Sequence, residues 1–203
     1  MRQYTLIPPV AGVLLGLLIT CQFASAADAA KKLPEGKSVL TPGIEGHRLH
    51  TGPDNKFGEF TVIDVKDQPF KKAIRARVKD RPAEVWHVQI STLLAEPVKR
   101  GDVVLASFQV RKIESKNGGD GTFSAYFGAP ETGLEPTITQ EITVGANWKK
   151  VQIPAEVAAN YEAGKGMLNF DLGHELQLLE FADIKLINYG QKVKLSDLPS
   201  SGH

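Results

Sequence analysis

The sequence predicts an all-β protein, a two-sheet antiparallel β-sandwich of the jelly-roll kind. Three observations carry that reading. From Gly58 onward, apolar and polar residues alternate at period two in nine separate runs. Clusters of Gly, Pro, Asn and Asp punctuate those runs. No helix-period stretch longer than about ten residues separates them, which leaves no room for parallel β-α-β units.

The elements follow in order. Residues 1–26 read as a signal peptide: Arg2 supplies the positive charge, Val10 to Ile19 the apolar core, and Phe23-Ala24-Ser25-Ala26 the small-residue cleavage site. That apolar core is too short to cross a hydrocarbon layer of about 30 Å as a helix. Cleavage near Ala26 would export a secreted or periplasmic domain. A lipoprotein site at Cys21 is disfavoured because Thr20 stands where such sites carry a smaller residue. Residues 27–57, rich in Gly, Pro and Lys, read as an extended N-terminal arm with a short strand near Ser38 to Leu40. The sandwich itself is expected over 58–190, followed by a tail over 191–203.

Within the sandwich the expected strands are Glu59–Val65, Phe70–Lys79, Val85–Ser91, Val103–Ile113 and Thr122–Gly128. Thr137–Val144, Trp148–Ile153, Met167–Gly173 and Leu178–Asn188 complete the set. Asn117-Gly118-Gly119-Asp120-Gly121 reads as a hairpin turn, since no helix follows it to make a phosphate-cradling loop. Ala155 to Tyr161 is the one stretch that reads as a helical turn.

Charge and cysteine content narrow the function. Removing residues 1–26 takes away one basic residue, Arg2, of 24 and none of the 23 acidic ones, so the exported chain is formally neutral. A neutral chain lacks the electrostatic footprint for nucleic acid or an anionic membrane. Cys21, the single cysteine, lies in the signal, which excludes disulfides, thiol nucleophiles and cysteine-bound zinc in the domain.

Strand alternation sorts the side chains into two sets. Ile74, Ala76 and Val78, then Trp86, Val88 and Ile90, then Val104, Ala106, Phe108 and Val110 form the core set. Phe123, Ala125 and Phe127 join them, with Leu168, Phe170 and Leu172. The opposite set contains Gln89, Gln109, Arg111, Tyr126, Asn169 and Asp171. Amide, guanidinium and carboxylate groups each engage two neighbouring hydroxyls, and an aromatic ring offers an apolar platform with a polar tip. A sugar presents both surfaces. The candidate site is therefore Gln89, Gln109, Arg111, Tyr126, Asn169 and Asp171 on one sheet face. Trp86 enters it as a second ring if it projects at the rim rather than into the core.

A resemblance agrees with this reading. The carrying segments are Pro69-Phe70-Lys71-Lys72-Ala73, the Trp86 strand, Gly101-Asp102-Val103-Val104, Asn147-Trp148-Lys149-Lys150-Val151 and Glu180-Phe181-Ala182-Asp183-Ile184-Lys185-Leu186. Their order resembles jelly-roll, galactose-binding-like carbohydrate-binding modules of families 4, 9 and 22, including the module that precedes some bacterial xylanase-type catalytic domains. The resemblance implies a non-catalytic polysaccharide or glycan binder, with contacts near Trp86, Gln89, Arg111, Tyr126 and Asp171. With the sequence stopping at His203, an enzyme partner is expected to be a separate protein or absent. Many such modules hold a structural calcium. Asp183 matches their closing-strand aspartate, while Gly58-Glu59-Phe60 scrambles their Gly-Phe-Glu.

Two other classes stay open: a secreted adhesion or protein-interaction sandwich, and a jelly-roll glycosidase or polysaccharide lyase. A glycosidase needs two facing carboxylates, for which Glu141 or Glu180 would have to join Asp171. A lyase would use Tyr126 or His87 as base with Arg111 neutralising a uronate. His47 and His50 lack a third metal ligand nearby, and His174-Glu175 would offer at most a loop contact.

Overall fold

The computed structural model describes residues 35–201. The signal peptide and the start of the arm lie outside the described residues. Eleven strands form: β1 Lys37–Ser38, β2 His47–His50, β3 Gly58–Asp64, β4 Lys72–Val78, β5 Gln89–Leu93, β6 Val103–Ser115, β7 Gly121–Gly128, β8 Ile138–Val144, β9 Lys149–Glu156, β10 Met167–Asp171 and β11 Gln177–Asn188. All nine expected strands are present. The arm adds β1 and β2.

The strands assemble into two antiparallel sheets. One, sheet A, runs β3-β4-β11-β6-β9 with β1 paired to the far end of β11; the other, sheet B, runs β2-β5-β10-β7-β8. Only β3–β4 and β7–β8 are sequence-adjacent strands that also pair. The remaining connections pass from one sheet to the other, which is the economy of a jelly roll. The Gly-rich turn after β6 is such a crossing and not a hairpin, because β6 and β7 belong to different sheets. There Gly118 takes a left-handed φ of 69°, a conformation a side chain would strain. Ala155 to Tyr161 forms no helical turn: β9 continues through Glu156, and Tyr161 bridges Val98 instead.

The core set behaves as alternation requires, with one exception. Every residue named above as core is at most 3% exposed apart from Trp86. Phe108 and Phe181 from sheet A interlock with Phe123 and Phe170 from sheet B, the closest centroids, Phe108 and Phe170, lying 4.5 Å apart. Rings at such spacing gain edge and offset contacts beyond their buried area. Trp86 escapes because the strand starts only at Gln89; Val85–His87 is a 3-10 turn, and Trp86 is 49% exposed.

Candidate functional site

The outward face of sheet B is where the polar residues converge. β10 sits between β5 and β7, and its register sets Asp171 beside both Gln89 and Ser124, and Asn169 beside both Ser91 and Tyr126. Extending across the sheet, His50 aligns with Gln89 and Glu141 with Ser124. One row therefore reads His50, Gln89, Asp171, Ser124, Glu141. The next reads Arg48, Ser91, Asn169, Tyr126, Thr139.

These side chains are held, yet not all are satisfied. Gln89 Nε2 donates to Asp171 Oδ1 at 2.6 Å. Burial pushes the Asp171 carboxyl above the usual carboxylate range, while the Gln89 hydrogen bond and His174 pull the other way. Ser124 Oγ and His174 Nε2 stand 2.9 Å apart, and His174 Nδ1 lies 3.7 Å from Glu141. The tip of Asn169 is buried, and its Oδ1 has no hydrogen-bond partner among the described residues. A buried acceptor without a donor costs about 1–3 kcal/mol, and this oxygen is shielded from solvent beneath the face. Tyr126 is half-buried; burial first, then the Tyr161 and Asp171 charges, raises its hydroxyl pKa.

Trp86 stands at the margin of this face. Its ring meets His87 at 6.3 Å, and His87 in turn stacks on Phe57 at 5.6 Å and meets His50 at 6.2 Å. The 3-10 turn thus turns Trp86 outward beside the His50 end of the first row.

Gln109 and Arg111 are not part of this site. They lie on β6 in sheet A, where Gln109 pairs in register with Ala182 and Arg111 with Glu180. Alternation tells which way a side chain points but not to which sheet its strand belongs, and β6 pairs with β11 and β9. Arg111 Nε donates to Glu180 Oε2 at 2.7 Å, and Arg75 Nε to Oε1 at 2.8 Å. The Arg111 guanidinium also stacks 4.7 Å over Trp148. These groups spend their hydrogen bonds on one another. A lyase arrangement of Tyr126 with Arg111 is separated by the full thickness of the sandwich.

Calcium does not fit at Asp183. Calcium takes 6–8 oxygen ligands, whereas Asp183 Oδ1 lies 2.6 Å from the Lys185 ammonium. Among the described residues no group of three or more His, Cys, Asp or Glu converges. Asp183 occupies a break in the β11 register with φ at 52°. It rims a cavity of about 560 Å³, with Lys71, Lys72 and Lys185, at the opening between β4 and β11.

Sequence reasoning foresaw four residues of the sheet B face and missed most of its surround. The sequence marks Glu141 only as an acid that could join Asp171 and His174 only as a loop contact, whereas the structure brings both to the end of the first row. Ser124 falls on the outward side of β7 by the same alternation, but nothing in the sequence separates it from an ordinary strand residue.

No protein-family model matches the chain, and no curated protein matches it by sequence. Solved structures do share its fold. A CBM4 is 14% identical with a TM-score of 0.53, covering 75% of this chain and 94% of its own. The N-terminal cellulose-binding domain of Cellulomonas fimi β-1,4-glucanase C is 15% identical with a TM-score of 0.52, covering 80% and 99%. The CBM22-1–GH10 modules of Clostridium thermocellum xylanase 10B, complexed with xylohexaose, are 14% identical with a TM-score of 0.53, covering 79% of this chain and 30% of that one. At such identity the likeness establishes the architecture: this chain has the two-sheet jelly roll of carbohydrate-binding modules.

Proposed function

We propose that this protein is an exported, non-catalytic carbohydrate-binding module that grips a polysaccharide or glycan on the outward face of sheet B. The observation that carries the reading is the row pair on that face. Tyr126 offers a ring, Asp171 and Gln89 form a bonded acceptor–donor pair, and Ser124, His174 and Glu141 continue the polar row. Sugar hydroxyls are donors and acceptors in the same density, and the C–H face of a sugar ring suits an aromatic surface. The shared fold with modules named for cellulose and CBM22 supports the same reading.

The row spacing of the two acids speaks against a retaining glycosidase. Asp171 and Glu141 stand in one row but two strands apart, roughly 10 Å at about 4.8 Å per strand. Retaining glycosidases hold their carboxyls about 5–5.5 Å apart. The residue pattern over 1–26 supports export, and a glycan-degrading enzyme is the partner such a module would serve. No helix among the described residues is long and apolar enough to cross a membrane.

The test is a glycan array with the domain from Ala27 onward, followed by a reducing-end assay on whichever polymer binds. Retention of a neutral polysaccharide without new reducing ends supports the proposal. Failure to retain any glycan, or release of product, overturns it.

A further inference from the structure

Gly128 follows Tyr126 by two positions on β7, so both face outward from sheet B. A Cβ placed on Gly128 would meet the Tyr126 hydroxyl oxygen at 2.7 Å and two ring carbons at 2.9 and 3.1 Å. Contacts that short do not occur between real side chains. The Tyr126 ring therefore lies down along its own strand and occupies the volume that any other residue at 128 would fill. The backbone at Gly128 does not have a positive φ, so glycine is not required there for conformation. A glycine in a strand interior weakens the strand and often marks close approach by another group. Here the group is a neighbouring phenol.

We infer that Gly128 is the positioning residue for Tyr126, seating the ring flat so that its open face, rather than its edge, meets the ligand. This rests on the glycan-binding reading above and sharpens it. A ring parallel to the sheet takes the flat C–H face of a pyranose whose substituents are equatorial. An axial hydroxyl projects from the sugar plane and holds the two rings apart. Asn169, the register neighbour of Tyr126, lies buried beside it. Seat and platform together select sugars by shape.

The test uses Gly128→Ala, Tyr126→Ala and the double variant, with xylohexaose and cellohexaose as probes and mannohexaose, which carries axial hydroxyls, as control. The expected result is a loss of xylohexaose or cellohexaose affinity of about tenfold in Gly128→Ala. Tyr126→Ala should match it, and the double variant should show no further loss. Gly128→Ala should also narrow the preference over mannohexaose. A second readout needs no ligand: in the NMR spectrum the Gly128 Hα protons should be shifted upfield by the Tyr126 ring current and return in Tyr126→Ala. Unshifted Gly128 Hα protons in the wild type overturn the seat. Wild-type affinity in Gly128→Ala, alongside lost affinity in Tyr126→Ala, overturns the positioning role alone. Wild-type affinity in Tyr126→Ala, or no binding by the wild type, sinks the glycan reading, while the Hα shift still decides the seat.

Discussion

The two outward faces of the sandwich have opposite fates. On sheet A the surface is spent. Val193 and Leu198 of the tail cover Val103 and Leu105, and Ser201 hydrogen-bonds to Gln152 at the β9 edge. At the other end Phe70 and Trp148 meet edge to face at 4.8 Å over Ala73 and Ala182. Between them, Glu180 is fully buried beneath two guanidinium groups. On sheet B the polar groups pair within their own rows, Gln89 with Asp171 and Ser124 with His174, and one buried acceptor goes unpaired. Both faces carry Arg, Gln and an aromatic ring. What separates the two faces is therefore not composition but cover: the tail and the Phe70–Trp148 pair lie over sheet A, and the proposed glycan site lies on sheet B.

Stability is the sharpest way to break that contrast. Glu180→Ala removes a buried carboxylate and leaves Arg75 and Arg111 side by side. A buried pair broken on one side loses about 3–5 kcal/mol, and because both arginines are partly exposed the expected loss is nearer 2–3 kcal/mol. Urea unfolding checks it, and glycan retention should survive wherever the variant is folded. Equal loss of retention in folded protein would erase the distinction between the faces.

Affinity comes next. Asp171→Asn is expected to weaken glycan binding by about 1–2 kcal/mol, the scale of a hydrogen bond to a charged group, as read by isothermal titration calorimetry. Its stability effect runs the other way. The folded state raises the Asp171 pKa, so the native protein holds that proton more tightly than the unfolded chain. This residue's contribution to stability therefore falls as pH rises from the ordinary aspartate range through the raised value. Wild type and Asp171→Asn should differ most in stability above that window and converge below it. Binding should show the opposite trend, weakening for the wild type as acid protonates the carboxylate and staying flat for the variant.

Tyr126→Ala is the smallest expected perturbation to the fold. Its ring is half-buried and lies over Gly128, which has no side chain to lose contact with, so the melting temperature should move by only a few degrees, matching about 1 kcal/mol or less. Affinity should drop about tenfold.

Much of the fold was legible because burial on one side of a strand writes itself as alternation. Ile74-Arg75-Ala76-Arg77-Val78 and Leu168-Asn169-Phe170-Asp171-Leu172 show it plainly. Strand β2 was not legible: His47-Arg48-Leu49-His50 is an edge segment with little buried surface to demand a pattern. Sheet membership was not legible either. Gln109 and Gln89 look alike in sequence, and only the pairing of β6 with β11 and of β5 with β10 sends them to opposite sides. Trp86 shows a third limit. Its phase fits the core, but a 3-10 turn delays the strand to Gln89 and turns the ring outward.

The most direct measurement compares Tyr126→Ala with Gln109→Ala by affinity electrophoresis in a gel containing the polysaccharide that retains the wild type. Both are single truncations at half-exposed strand positions, one on each sheet. Loss of retardation in Tyr126→Ala with full retardation in Gln109→Ala is the expected result. Loss in Gln109→Ala with none in Tyr126→Ala would place the ligand on sheet A and contradict the account.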